Sequence, residues 1–350
     1  MSPDSLDRSE LLRRLGLAAA GVSLPSALTE QASAALTEQA SAGFLRRHPR
    51  WRFVFVNHAT TNPFFVPTRY GIQDACSLYG VRSEWTGSRR SDVGEMLAAM
   101  YQAIRFEADG IAVSVIEPKA LNVATAEALK RGIPVVSYNA DGGRGNQRLS
   151  YVGQDLYQSG LKLGARVAQL VGEGDVFIFV ATPGQLNIQP RVDGAVDAIR
   201  DSGKPIRTKI VATGPNVRAE RARIEATYRA HKGLRGMFAV DGGSTQGVAE
   251  VMRKYGLAKR GVRAGGYDLL PGTLRAIADR HLDFTIDQQP YLQGFLPIFQ
   301  LFLVKYTGGL VAPADTNTGL HFVTRRNVRP YLTTRTRYEG SSRIHKYPVS

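Results

Sequence analysis

Polar residues able to hold a hydroxylated small molecule recur at one kind of place in this chain, just after short apolar runs. Asn57-His58-Ala59-Thr60-Thr61-Asn62 follows the first run, Ser114 and Glu117 the third, and Asn139 and Asp141 the fourth. Thr182, Asp241 and Tyr267-Asp268 stand in the same relation to later runs. Asn62 can donate and accept at adjacent hydroxyls, and Arg191 offers a rigid fork of donors to two ring oxygens at once. Asp241 and Asp268 can accept from hydroxyl pairs, while Phe64 and Phe65 can stack on the C–H face of a ring. This is the chemistry of holding rather than of bond-making. No Gly-x-Gly-x-x-Gly follows the first run, no Walker motif occurs, and there is no Gly-x-Ser-x-Gly elbow. Asp241-Gly242-Gly243 lacks the spacing of a phosphate loop. Cys76 is the only cysteine, which excludes an internal disulfide and a cysteine metal cluster. Within a helical stretch it reads as a small buried hydrophobe. His58 has no second His or acid at ligand spacing, so neither a metal nor a cofactor is expected.

Such residues need a scaffold that gathers strand ends. Residues 52–57, 81–85, 110–115 and 133–138 read as strands, with helices over 64–79, 91–107 and 120–131 between them. The pattern restarts with a helix over 155–171. Strands over 175–180, 206–213, 236–240 and 262–267 then alternate with helices over 189–202, 218–230 and 244–255. Short apolar runs bounded by Gly and Pro fit parallel strands buried on both faces. Strand–helix alternation implies right-handed crossovers and a doubly wound α/β sheet. Two such sets predict two similar lobes, with the link 150–155 as a hinge candidate. In open α/β sheets ligands bind beyond the carboxyl ends of strands, where the polar residues lie.

A length of 350 residues suits two domains. With 43% hydrophobic and 21% charged residues, wholesale disorder is excluded. No apolar run in the body is long enough to span a membrane, and 295–306, interrupted by Gln300 and Lys305, reads as a buried helix. The net charge of +15 is dispersed. Its densest patch, Arg325, Arg326, Arg329, Arg335, Arg337, Arg343 and Lys346 against Glu339, reads as a solvated tail, and no nucleic-acid partner is expected. Residues 1–42 differ from the rest. Arg8, Arg13 and Arg14 precede the apolar Leu15–Val22 stretch, and Ala32-Ser33-Ala34 and Ala40-Ser41-Ala42 fit a signal peptidase. Arg13-Arg14 resembles a twin-arginine pair, with Sec-type export the alternative. The octapeptide at 27–34 repeats unchanged at 35–42, too short a unit for a fold repeat. With no cysteine near those sites, an exported chain without a lipid anchor is expected.

Asn62-Pro63-Phe64-Phe65 at a helix start resembles the ribose-type periplasmic binding proteins, the substrate receptors of sugar ABC importers. The resemblance continues through Tyr151-Val152-Gly153-Gln154-Asp155, Pro190-Arg191-Val192-Asp193-Gly194, Gly266-Tyr267-Asp268 and Phe284-Thr285-Ile286-Asp287-Gln288-Gln289-Pro290, in the family's order. It implies two doubly wound parallel-sheet lobes joined by three crossings. Lobe 1 takes 50–152 plus 288–319, lobe 2 takes 153–287 plus 320–330, and 331–350 is a basic tail. It also implies that Asn62, Phe64, Phe65, Ser114, Asn139, Gln154, Arg191, Asp241, Tyr267, Asp268 and Gln288 contact the ligand. Asn139 and Ala140 replace an acid and an Arg usual in that family. Their substitution removes an ion pair and leaves room for a polyol, a cyclitol or another sugar. The implied partners are a small neutral sugar or polyol and a membrane permease, with the receptor a monomer. Two rival classes are an enzyme and a ligand-sensing regulator, but a regulator carries an N-terminal helix-turn-helix where this chain has its export-like segment. If Arg191 and Asp268 simply face the cleft, truncating either is expected to weaken binding far more than folding.

Overall fold

Alternation along a strand decides which core each residue joins. In the computed structural model, which describes residues 47–143 and 145–333, Arg52–Asn57 forms strand β1, buried at every position but the first. Phe53 and Phe55 enter one apolar cluster and Val54 and Val56 the one on the opposite face. Both faces of the sheet are thereby covered, which accounts for the unbroken apolar run.

β1 is joined in one sheet by β2 (Arg82–Gly87), β3 (Gly110–Val113), β4 (Val135–Tyr138) and β5 (Ser150–Gly153), in the order β5-β4-β3-β1-β2. A second sheet repeats the plan with β6 (Gly174–Val180), β7 (Ile206–Ala212), β8 (Gly236–Ala239), β9 (Arg263–Tyr267) and β10 (Phe284–Asp287), ordered β10-β9-β8-β6-β7. β11 (Asp315–Asn317) then adds to β5 in parallel, and β12 (His321–Thr324) adds antiparallel to β10. All other pairings are parallel. The connections are helical. α1 (Val66–Tyr79), α2 (Val93–Arg105) and α3 (Pro118–Lys130) belong to the first sheet. α4 (Leu156–Val171), α5 (Gln189–Asp201), α6 (Val217–Ala230), α7 (Gly242–Lys254) and α8 (Pro271–Ala278) belong to the second. α9 (Leu292–Thr307) returns to pack on α1, β4 and β5, and α10 (Arg329–Thr333) ends against α8. These are two doubly wound α/β sheets of the same topology in one chain.

The helix expected from residue 64 begins two residues later. Asn62 caps a 3-10 turn, Pro63–Phe65, by accepting from the Phe64 N–H, and α1 starts at Val66. The hinge candidate 150–155 resolves into two parts: Ser150–Gly153 is β5 itself, and the chain leaves the first sheet only at Gln154-Asp155. It crosses back between β10 and α9 and again between β11 and β12. Side chains tie the three crossings together. Gln154 Nε2 donates to the Gly319 carbonyl (3.1 Å), and Thr318 Oγ1 donates to the Gln288 carbonyl (2.8 Å). Gln293 Nε2 donates to that same carbonyl (3.1 Å) and to Thr318 Oγ1 (3.2 Å).

Two glycines of α4 set the position of α5. A Cβ on Gly160 would lie 2.8 Å from Arg191 Cα, and one on Gly164 would lie 2.9 Å from Ala195 Cα. Without those side chains the helices pack backbone to backbone, and Arg191 is carried inward against the second sheet. The export-like segment 1–42 and the tail cations Arg335, Arg337, Arg343 and Lys346 lie outside the described residues. Among the described residues no helix is long and apolar enough to cross a membrane.

Candidate functional site

The strand order reverses between β1 and β3 in one sheet and between β6 and β8 in the other, the places where doubly wound sheets receive ligands. Loops leaving β1, β4, β6, β8 and β9 meet there around a cavity of about 70 Å³. That is room for roughly five waters, or for one small solute in their place. The first sheet contributes Asn62, Phe64, Phe65 and Asn139, the second Arg191, Asp241 and Asp268, and Gln288 enters from a crossing. Eight of the expected residues therefore share one cavity.

Arg191 is its centre. Only 3% exposed, it donates from Nη1 to the Val240 carbonyl (3.1 Å) and from Nη2 to Gln154 Oε1 (3.1 Å) and Gln288 Oε1 (2.9 Å). Its guanidinium lies 4.2 Å from the Tyr267 ring centroid, a cation–π contact strengthened by desolvation. Gln288 passes the network on, donating from Nε2 to Asp268 Oδ1 (2.7 Å). Gln293 donates to Gln288 Oε1 (3.2 Å) and accepts from Asn139 Nδ2 (3.0 Å). The binding cavity and the crossings thus share one set of hydrogen bonds.

Asn139 and Asp268 end equivalent strands, β4 and β9, with φ of 63° and 74°. Outside glycine this left-handed backbone suits Asn and Asp best, and both side chains line the cavity. Asp268 does not cap α8, whose N-cap Leu270 makes no side-chain bond. Burial pushes its carboxyl up to about 6, against the pull of the Arg191 charge. Asp241 is the capping acid: Oδ1 accepts from the Ser244 N–H (2.8 Å) and Oδ2 from the Ala181 N–H (3.0 Å). Phe64 and Phe65 stand edge to face at 4.7 Å, with the His58 ring 5.3 Å from Phe65.

Three expected contacts lie one layer back. Ser114 is fully buried and bonded to His58 Nδ1 (2.9 Å). Gln154 spends its amide on Arg191 and Gly319. Tyr267 is sealed beneath the guanidinium, its hydroxyl 2.7 Å from Ser159 Oγ. Each is a support for a lining residue, because its polar group is already consumed by the protein. Ala140 is buried, and Trp85 packs on Phe55 and Phe65 beside a separate surface hollow. Arg191 and Asp268 do not simply face the cleft, the premise on which truncation was expected to cost binding far more than folding. Both are buried members of a bonded network, so removing either leaves buried polar partners unsatisfied.

The lining also holds His58, Asn187 and Glu220, none of which the sequence reading assigned as a ligand contact. His58 Nδ1 donates to Ser114 Oγ, and Nε2 accepts from Asn187 Nδ2 (3.2 Å). Burial lowers the imidazole to about 4 and keeps it neutral. Asn187 comes from the second sheet, so this bond spans the cavity. Two neighbours do the same: Gln185 Nε2 donates to the Ser91 carbonyl (3.2 Å) and the Leu186 N–H to the Ile116 carbonyl (3.0 Å). The loop after β6 therefore clasps the first sheet. Among the described residues, three buried polar atoms of the lining have no partner: Asn187 Oδ1, Arg191 Nε and Glu220 Oε2.

Two like sheets closed over a small polar cavity, with unspent donors and acceptors inside, have the form of a solute-binding protein. Comparison with known sequences gives the same class: the periplasmic binding protein domain matches residues 53–305, and the chain belongs to that family. It is 47% identical over 339 residues to the xylose/arabinose-binding protein XylF of Sulfolobus acidocaldarius, covering 93% of this chain and 83% of that protein. It is 24% identical to the ribose import binding protein RbsB of Bacillus subtilis, over 67% of this chain and 75% of that protein. Among solved structures, an ABC transporter solute-binding protein of Burkholderia graminis, in complex with D-arabinose, superposes with a TM-score of 0.75. It is 26% identical, over 81% of this chain and 98% of that one.

Proposed function

We propose that this protein is the extracytoplasmic sugar receptor of an ABC importer, holding a neutral pentose between its sheets and passing it to a membrane permease. The observation that carries this is the cavity itself. Both sheets wall it, and three buried polar atoms within its lining are left without partners. Unsatisfied buried groups of this kind cost about 1–3 kcal/mol each, which a hydroxyl-rich ligand recovers by bonding to them. The sugars named for the Sulfolobus and Burkholderia proteins are pentoses, and the cavity's small size favours a ligand of that scale.

Each side of the cleft has its part. Phe64 and Phe65 receive the C–H face of the ring, and Asn62 donates from Nδ2, its oxygen being held by the Phe64 N–H. Arg191, Asp241 and Asp268 bind hydroxyls from the other side. Lobe 1 (50–152 with 288–319) and lobe 2 (153–287 with 320–330) turn about the three crossings, and the clasp after β6 forms as they close. The receptor acts as a monomer and leaves its ligand chemically unchanged. Asp241 and Asp268 outnumber the single guanidinium of Arg191 in the lining, so an anionic ligand meets repulsion.

A thermal-shift panel of pentoses, hexoses, polyols, cyclitols and sugar phosphates tests this reading. Neutral pentoses should give the largest stabilisation, about 2.7 kcal/mol at a hundredfold excess over Kd. Stabilisation by phosphorylated or acidic compounds alone would overturn it.

A further inference from the structure

Beside Asp241 the cavity is walled by a carboxyl that belongs to none of the segments shared with the ribose-type receptors. Glu220 stands in the first turn of α6, 3% exposed, and its Oε2 has no partner. Room has been left for it. A Cβ on Gly243 would collide with Glu220 Oε2, just as one on Gly242 would come within 2.7 Å of Asp268 Oδ2. The glycine pair at the start of α7 leaves both acids in place.

The surrounding groups decide where the proton goes. Glu220 meets the Asp241 charge and the Ser244 hydroxyl at the start of α7, and the same cavity is lined by Asp268 after β9, Arg191 from α5 and His58 from the first sheet. Burial raises both Glu220 and Asp241, and the Asp241 charge raises Glu220 further. Asp241, however, accepts two backbone N–H bonds and feels the Arg191 charge, which favour its anion. Glu220 has only the Ser244 hydroxyl pulling in that direction.

We propose that Glu220 is a ligand-binding residue of this site, a neutral carboxyl that donates its O–H to an oxygen of the bound sugar. The assignment rests on the sugar-receptor reading and adds the one donor that the second sheet's acids otherwise lack. A sugar bearing an acceptor oxygen there is selected over its deoxy analogue.

Calorimetric titration with D-xylose, at several pH values from about 6 to 9, tests it. Glu220→Ala should bind about 10–100-fold more weakly at neutral pH, the loss of one or two strong hydrogen bonds. The wild type should weaken by about tenfold or more between pH 7 and 9 as the donor ionises. Glu220→Gln, which keeps a neutral donor, should stay flat across that range. Thermal melts check folding, and Gly243→Ala, which displaces the carboxyl without removing it, should weaken binding in the same way. Wild-type affinity in Glu220→Ala and Gly243→Ala, or an unchanged alkaline loss in Glu220→Gln, overturns the assignment while leaving the receptor intact. Absence of binding by the wild type to any pentose overturns the receptor reading and this assignment with it.

Discussion

Arg191→Ala is expected to weaken sugar binding by at least about a hundredfold, the equivalent of two charge-assisted hydrogen bonds. It should also lower unfolding stability by roughly 2–4 kcal/mol, because it strips partners from buried groups. Both effects follow from one geometry. The guanidinium donates to Val240, Gln154 and Gln288 and stacks on Tyr267, while its Nε–H is unspent beside the ligand space. Gln154 and Gln288 stand at two of the crossings, so the same truncation loosens the hinge. Arg191→Lys keeps the charge but cannot bridge both glutamines or stack as a plane, and should fall between the two. Titration calorimetry and urea denaturation of both variants measure the pair of losses. Wild-type stability with lost affinity would mean that the residue faces the ligand without holding the crossings. Wild-type affinity would remove it from the site.

Stability should fall as pH rises from about 6.5 to 8, at up to roughly 1.4 kcal/mol per pH unit. The sign depends on which groups carry shifted values. His58 is lowered to about 4 from 6.5. The unfolded chain therefore binds its proton first, and stability from this group is lost as pH falls through that window. Asp268 is raised from 3.8 to about 6, so its contribution is lost as pH rises over nearly the same window. The two largely offset one another. Above 6.5 neither adds much further slope, and the Glu220–Asp241 pair, both raised by burial and Glu220 further by the Asp241 charge, is left to act. Ionising its second carboxyl inside the protein is harder than in the unfolded chain, so the folded state loses ground. Urea denaturation at the two pH values measures the slope, and Glu220→Gln should flatten it. A stability that is level or rises with pH contradicts this account of the pair.

The strands were legible because their residues alternate between two apolar cores: residues 52–57 are all in β1, and 236–240 differs from β8 by one residue. β5, β10, β11 and β12 were not: 150–153 was read as part of a link, 284–287 entered only through the resemblance, and β11 and β12 carry almost no buried residues and take their identity from the neighbour they pair with. Polar residues at strand ends pointed to Asn62, Asn139, Asp241 and Asp268, all in the cavity. The same rule pointed to Ser114 and Tyr267, which lie behind it. A strand end fixes the level of a residue but not whether another side chain already covers it. His58 was noted in the polar run after the first strand but then weighed singly only as a metal ligand, although its place one residue beyond β1, at the strand-order reversal, was the available signal. Glu220 had no signal of its own, because it reaches the cavity from a helix after an edge strand. The clue lay in Asp241-Gly242-Gly243, which was compared with a phosphate loop when its glycines instead make space for Asp268 and Glu220.

A neutral sugar should close the two lobes over itself. The bonds from Gln185, Leu186 and Asn187 to the first sheet describe the closed form, and only a ligand satisfying both sides should favour it. Small-angle X-ray scattering, with and without saturating D-xylose or arabinose, reads this directly. The radius of gyration should decrease when the sugar is added. An unchanged radius at a concentration where calorimetry shows the site full would contradict closure.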